Sequence, residues 1–120
     1  MKVGRLGEIF FDSGYYTYIG SSMSGLRNRL RRHFSRKKKK RWHIDYLMEN
    51  ASCEGFFAWQ SRKNIEDKIA CKLKKKFEYI KGFGSSDSRC DSHLFYSKDR
   101  HRLLKALFRA LRRQSIFVEF

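Results

Sequence analysis

Three groups of side chains in this sequence could do chemistry. The first lies in GYYTYIG (14–20), where alternation along an extended chain puts the hydroxyls of Tyr16 and Tyr18 on one strand face and Tyr15 on the other. A phenol with a pKa of about 10 is a weak base at neutral pH unless positive charge stands beside it. The second group follows directly, in the arginine-rich run LRNRLRRHF (26–34). On a helical wheel Leu26, Leu30 and Phe34 share one face, Arg27 and Arg31 fall well away from it, and His33 lies near its middle. Arg29 sits on the border of that stripe, placed to look along the surface towards the end of the sheet. The third is Glu66, which falls inside the apolar arc of Ile65, Ile69, Leu73 and Phe77. A carboxylate turned inward is costly unless a cation or hydrogen bonds meet it. The plainer reading is a first-turn acid favoured by the helix dipole.

Other candidates are weaker. Cys90, His93 and Cys71 could suggest zinc, but C-x2-H without a partner pair is poor ligand spacing, and a loop thiol is the simpler reading. Ser85, Ser86 and Asp87, in the glycine- and serine-rich GFGSSDSRC, could contact phosphate or merely order the loop. The six consecutive basic residues 36–41, which include Lys37, Lys38, Lys39, Lys40 and Arg41, read with Arg32 either as a solvated loop or as a phosphate-contacting segment. His33 reads as a structural histidine, and the C-terminal leucine stripe as core.

Composition says what must hold these groups. With 120 residues, 41% hydrophobic and 16% aromatic, the chain can build one domain with one modest core and is no disordered basic tail. Its formal charge of +16, from 28 Lys plus Arg against 12 Asp plus Glu, calls for a polyanionic partner, nucleic acid before an acidic membrane surface. No apolar run is long enough to span a membrane, and MKVGRLGEIFF lacks the features of a signal peptide. The expectation is a soluble cytoplasmic protein, its odd number of cysteines reduced.

Elements follow from periodicity. Residues 8–12 read as a strand, and Asp12-Ser13-Gly14 as a turn making an antiparallel hairpin with the tyrosine strand. Ser24-Gly25 opens the arginine helix. A short helix is expected over 42–50, an aromatic strand over 55–59, and a helix from Ile65 to about Phe77 capped by Asn64. A loop then leads into a strand over 93–97, a basic amphipathic helix over 98–113 and a final edge strand, SIFVEF (115–120). There is no repeat and no linker. The sum is a small α+β domain spanning 1–120, with its core at about 3–97, a C-terminal basic helix and possible edge strand at 98–120, and a mainly antiparallel three- to four-stranded sheet flanked by helices.

These residues carry a resemblance. Tyr18-Ile19-Gly20 followed by LRNRLRRHF is similar to the second half of the signature of GIY-YIG nucleases. VGRLG, GYYTYIGSS, RWHIDYL and GFGSSDSRC-x-SHLFY, in that order, resemble the Uri-type or DUF123 branch of that superfamily, covering residues 3 to about 96. The resemblance implies metal-dependent hydrolysis of phosphodiester bonds, in DNA before RNA. It implies that Tyr18 acts as or positions the base for the attacking water, that Arg29 stabilises the phosphate and that Glu66 holds Mg²⁺ or Mn²⁺. His43 matches a further polar residue found in parts of the family. Ser88 stands where this branch often has cysteine, which argues against a metal thiolate. The GIY-like strand of the first motif does not precede VGRLG here. Tyr16 is one candidate for its hydroxyl, and SIFVEF one candidate for its place in the sheet. A non-catalytic nucleic-acid-binding module is the alternative, and a basic ribonucleoprotein component a third.

Overall fold

The computed structural model describes residues 1–20, 43–59, 65–84, 90–111 and 115–119, with the backbone alone for 56–59, 65 and 115–119. The chain opens on a 3₁₀ turn at Gly4–Leu6, and the tyrosine strand β1 follows at Tyr15–Tyr18. Helix α1 covers His43–Met48, strand β2 Gly55–Trp59, helix α2 Ile65–Lys74 and the two-residue strand β3 Glu78–Tyr79. Strand β4 is Leu94–Ser97, helix α3 Arg100–Leu111 and strand β5 Ser115–Glu119. The arginine helix, with Arg29, Arg32, His33, Lys37, Lys38, Lys39, Lys40 and Arg41, lies outside the described residues, as do the Asn64 cap and the loop residues Ser85, Ser86, Asp87 and Ser88.

β4 is the axis of the domain. It pairs antiparallel with β1, matching Tyr16 with Tyr96 and Tyr18 with Leu94, and with β3, matching Tyr79 with Phe95. The sheet order is therefore β1-β4-β3, and all four residues of LFYS in β4 are buried because helices cover both faces. On one face Ile69, Ala70 and Leu73 of α2 and Leu103, Leu107 and Leu111 of α3 pack with Ile19, Phe77 and Phe95. On the other Val3, Ile44 and Leu47 pack with Phe83 and Leu94, against the flanks of Tyr16 and Tyr18. Phe83 and Phe95, both fully buried, centre the two clusters, and burial of each side chain is worth about 1.5–3 kcal/mol. Asp99 starts α3, its Oδ1 accepting from the backbone N–H of His101 at 3.0 Å and of Arg102 at 3.3 Å.

The α+β expectation with an antiparallel sheet is borne out. Several details differ: the helix expected to reach about Phe77 ends at Lys74, and the short strand β3 follows it. Residues 8–12 form no strand. Their start is tied to the N-terminus around the 3₁₀ turn, with Ile9 N–H donating to Met1 O at 2.8 Å, a Lys2–Glu8 bridge and a Met1 ammonium–Glu8 ion pair at 3.2 Å, so β1 takes β4 as partner instead. SIFVEF does not join the tyrosine strand: β5 pairs antiparallel with β2, Gly55 opposite Glu119 and Trp59 opposite Ser115, in a separate two-stranded ribbon. A five-residue ladder satisfies more backbone groups than an end-on docking beside β1 would. Finally, Cys71 on α2 and Cys90 are joined as a disulfide with a Cα–Cα distance of 5.7 Å, which corrects the expectation of three reduced thiols and leaves Cys53 free. The close approach of α2 to the turn before β4 brings the two Cβ atoms within bridging range.

Candidate functional site

Strand alternation carries Tyr16 and Tyr18 to the same face, as their spacing requires. Their surroundings differ. The Tyr16 hydroxyl donates to Asp12 O at 2.7 Å, and its ring lies 5.0 Å from that of Tyr96. Desolvation, with the neighbouring Tyr96 phenol and the Asp12 and Glu78 carboxylates, pushes its pKa up to about 12. These groups favour the neutral phenol, so the site holds the Tyr16 proton rather than releasing it.

Tyr18 stands under the GFG turn. Gly84 has φ +65°, and a Cβ there would lie 2.8 Å from Tyr18 Cε1, so only glycine lets the backbone close onto the ring. Phe83 packs edge-on to Tyr18 at 6.1 Å between centroids and to His43 at 5.5 Å. Gly84 N–H donates to His43 Nδ1 at 2.8 Å, which fixes the neutral tautomer with its hydrogen on Nε2. Burial lowers the His43 pKa below its ordinary value, in keeping with that neutral, accepting role. The structure thus brings Tyr18 and His43, distant in sequence, to the two sides of one turn.

Glu66 belongs to the other face. It lies in the first turn of α2, whose Ile69, Ala70 and Leu73 pack on Ile19 and Phe95. On the wheel it falls between Ala70 and Leu73, and its Oε2 is buried with no hydrogen-bond partner among the described residues. Asp67 and His93 converge on it: one carboxylate oxygen from each acid and one His93 ring nitrogen lie within 4.8 Å of one another. In the ring of His93, 3% exposed, Nδ1 lies 3.1 Å from Ile19 O and Nε2 lies 3.2 Å from Asp67 Oδ1. Because Ile19 N–H also donates to His93 O at 2.9 Å, the pair prolongs the β1–β4 ladder by one rung. Cys90 Sγ lies 3.3 Å from Asp67 O, a contact and not a donated bond, since a disulfide sulfur carries no proton.

A dication fits this donor set. Two carboxylates and an imidazole are ordinary ligands, and a buried carboxylate oxygen without a donor is what an absent positive charge leaves behind.

Residues 1–116 match the model of a family described as Domain of unknown function DUF123. The chain belongs to that family. No curated protein and no solved structure matches it.

In this DUF123 chain the structure therefore joins Tyr18 with His43 and the GFG turn, and Glu66 with Asp67 and His93. It sets the two groups against opposite sheet faces, tied through consecutive residues: Ile19, the carbonyl partner of His93, follows Tyr18. Sequence reasoning passed over Asp67 as a participant and weighed His93 only as a partner for the cysteines. Asp67 lies one wheel step from Glu66, at the rim of the buried arc, a position that marks it only once Glu66 is taken as a ligand. Asp45, fully buried in α1 and engaged in interactions there, was also missed. An acid between Ile44 and Tyr46 looks solvated until the helix is seen to be covered. No helix among the described residues is long and apolar enough to cross a membrane.

Proposed function

We propose that the protein is a divalent-metal-dependent endonuclease that hydrolyses phosphodiester bonds in nucleic acid, DNA before RNA. The observation that carries the reading is the buried Glu66 Oε2, without a hydrogen-bond partner among the described residues, beside Asp67 and His93 in a chain of charge +16. Such a chain attracts a polyanion over most of its surface, and this cluster offers a site for the cation that phosphoryl chemistry needs. The resemblance of GYYTYIGSS and its arginine run to the GIY-YIG signature supplies the reaction class.

Each side chain then has a task. Glu66, with its neighbours, would hold Mg²⁺ or Mn²⁺. When bound, the ion supplies charge stabilisation to the phosphate and leaving oxygen. Arg29 would pair with the non-bridging oxygens, and its guanidinium would favour the phenolate of Tyr18, which orients or deprotonates the attacking water. His43, held neutral by burial, keeps Nε2–H as a donor while Nδ1 ties down the turn over Tyr18. Tyr16, with its proton held, suits hydrogen-bond donation better than base catalysis. The lysines at 37–40 with Arg32 and Arg41 would track the backbone, and Ser85, Ser86 and Asp87, which follow Gly84 in sequence, would add contacts to phosphate.

One observation favours a second reading, a nucleic-acid-binding module without catalysis: Tyr18 packs with Phe83, whereas the helix that carries Glu66 packs on the opposite face of the sheet. Incubation with branched, single-stranded and duplex DNA and with RNA, in Mg²⁺, Mn²⁺ or EDTA, beside Arg29→Ala and Glu66→Ala, separates the two. Cleavage that needs the metal and is lost in both variants is expected. Salt-sensitive binding with no cleavage of any substrate would leave the module.

A further inference from the structure

We propose that Glu66, Asp67 and His93 form a site for a first-row transition-metal dication of the Mn²⁺ to Zn²⁺ series, with His93 Nε2 as a ligand, and that it binds such ions in preference to Mg²⁺. The inference deepens the proposed function, from which it takes Glu66 as a metal ligand, and adds the nature of the ion and two further ligands.

The argument starts at the His93 ring. Nδ1 faces Ile19 O at 3.1 Å, and a carbonyl oxygen only accepts, so the ring hydrogen sits on Nδ1. The neutral ring then turns the Nε2 lone pair towards Asp67 Oδ1, 3.2 Å away. In the neutral form of the ring a lone pair and a carboxylate oxygen face each other at that distance, a gap that a cation can bridge. A proton on Nε2 would satisfy this one contact as an ion pair, but it leaves Glu66 Oε2 buried and unmatched. A dication meets all three groups at once.

Geometry and chemistry agree with that choice. Adjacent ligands about 2.1 Å from one ion are about 3 Å apart, close to the His93–Asp67 separation. The three donor atoms lie within 4.8 Å of one another. A metal-binding histidine characteristically donates its second ring N–H to a carboxylate or backbone carbonyl, which orients the ring and fixes the tautomer. Ile19 O provides that support here, and its N–H bond to His93 O makes the support rigid. An imidazole nitrogen among two carboxylates suits Mn²⁺, Co²⁺ or Zn²⁺, whereas Mg²⁺ selects oxygen and keeps its waters.

The test is Mn²⁺ binding to tag-free protein, followed by loss of the free-ion EPR signal, with Mg²⁺ as competitor. Pulsed EPR then reads nitrogen coupling to the bound ion. Near-UV circular dichroism checks the fold of Glu66→Gln, Asp67→Asn and His93→Gln. We expect one Mn²⁺ per chain, displaced only by Mg²⁺ at more than about tenfold higher concentration, with a ¹⁴N coupling in the native protein. Glu66→Gln and Asp67→Asn should each weaken binding by at least about tenfold, and His93→Gln should abolish the coupling. His93 is buried, so if its variant fails to fold, the two isosteric acid variants and the native coupling decide the matter. No saturable Mn²⁺ site, equal competition by Mg²⁺, no ¹⁴N coupling, or full affinity in Glu66→Gln would each overturn the proposal. Saturable binding with coupling but no cleavage would refute the nuclease alone, and Mg²⁺-supported cleavage without coupling would refute this site alone.

Discussion

Replacing Gly84 by alanine tests the join between the GFG turn, Tyr18 and His43. Gly84 has φ +65°, and the new Cβ would lie 2.8 Å from Tyr18 Cε1 and 3.4 Å from its hydroxyl. A left-handed alanine costs about 1–2 kcal/mol by itself. The contact cannot persist, so either the Tyr18 ring moves against Phe83 or the turn lifts. Lifting breaks the 2.8 Å bond from Gly84 N–H to His43 Nδ1, adding about 1–2 kcal/mol. Gly7→Ala makes no such ring contact: Gly7 has φ +77° and ψ −151°, a region open essentially to glycine alone, and nothing within 4 Å of its Cβ position, so it should cost a backbone term alone. Urea unfolding followed by tryptophan fluorescence should therefore show a loss of about 2–4 kcal/mol for Gly84→Ala and about 1–3 kcal/mol for Gly7→Ala. With an m-value of about 2 kcal/mol/M, the first is a midpoint shift of roughly 1–2 M. If the turn lifts, His43 should also titrate closer to its ordinary value. A loss below about 1 kcal/mol in Gly84→Ala, with the His43 titration unmoved, would refute the claim that Tyr18 and His43 clamp this turn.

Further outcomes can be checked on the native protein. Tyr16 should ionise only near pH 12, so a Tyr16→Phe difference titration by ultraviolet absorbance should place its phenolate step well above the ordinary value of 10.0; because the folded pKa is the higher one, its contribution to stability holds below about pH 10 and is lost as the pH rises towards 12. His43 has the opposite sign: its folded pKa is lowered, so its contribution holds above the ordinary value of 6.5 and is lost as the pH falls through the folded pKa, which NMR of the ring protons should follow. Thiol titration of the unreduced, denatured protein should find one reactive cysteine, Cys53; reducing Cys71–Cys90, which spans 19 residues, should cost about 3 kcal/mol, and three reactive thiols would disprove the bridge. Replacing Lys37, Lys38, Lys39 and Lys40 by alanine should weaken nucleic-acid binding and flatten its salt dependence by up to about four charges; an unchanged slope would assign that run to solvent.

Much of this was legible locally. Ile69, Leu73 and Phe77 repeat every four residues and Leu103, Leu107 and Leu111 do the same, so both helices and their buried faces could be read from spacing. Period-two alternation put Tyr16 and Tyr18 together for an equally local reason. The GFG turn announced itself by its glycines, though not that it would close on Tyr18. Glu66 stood out because an acid inside an apolar arc needs an explanation.

What the sequence by itself determined, then, is everything that a few neighbouring residues settle: helix and strand periods, the charge of +16, and the inward aim of one glutamate. Tertiary structure decided the pairings. Residues 8–12 looked like a hairpin partner for β1, yet β4, about eighty residues on, took that place. SIFVEF went to β2, and β3 is too short for a pattern of its own. Asp67 and His93 became partners of Glu66, and Cys71 a partner of Cys90, only when α2 settled against the end of β4. Side-chain periodicity reports which face a residue takes. Which residue faces it depends on contacts across the whole chain, and those form only when the two clusters close on the sheet.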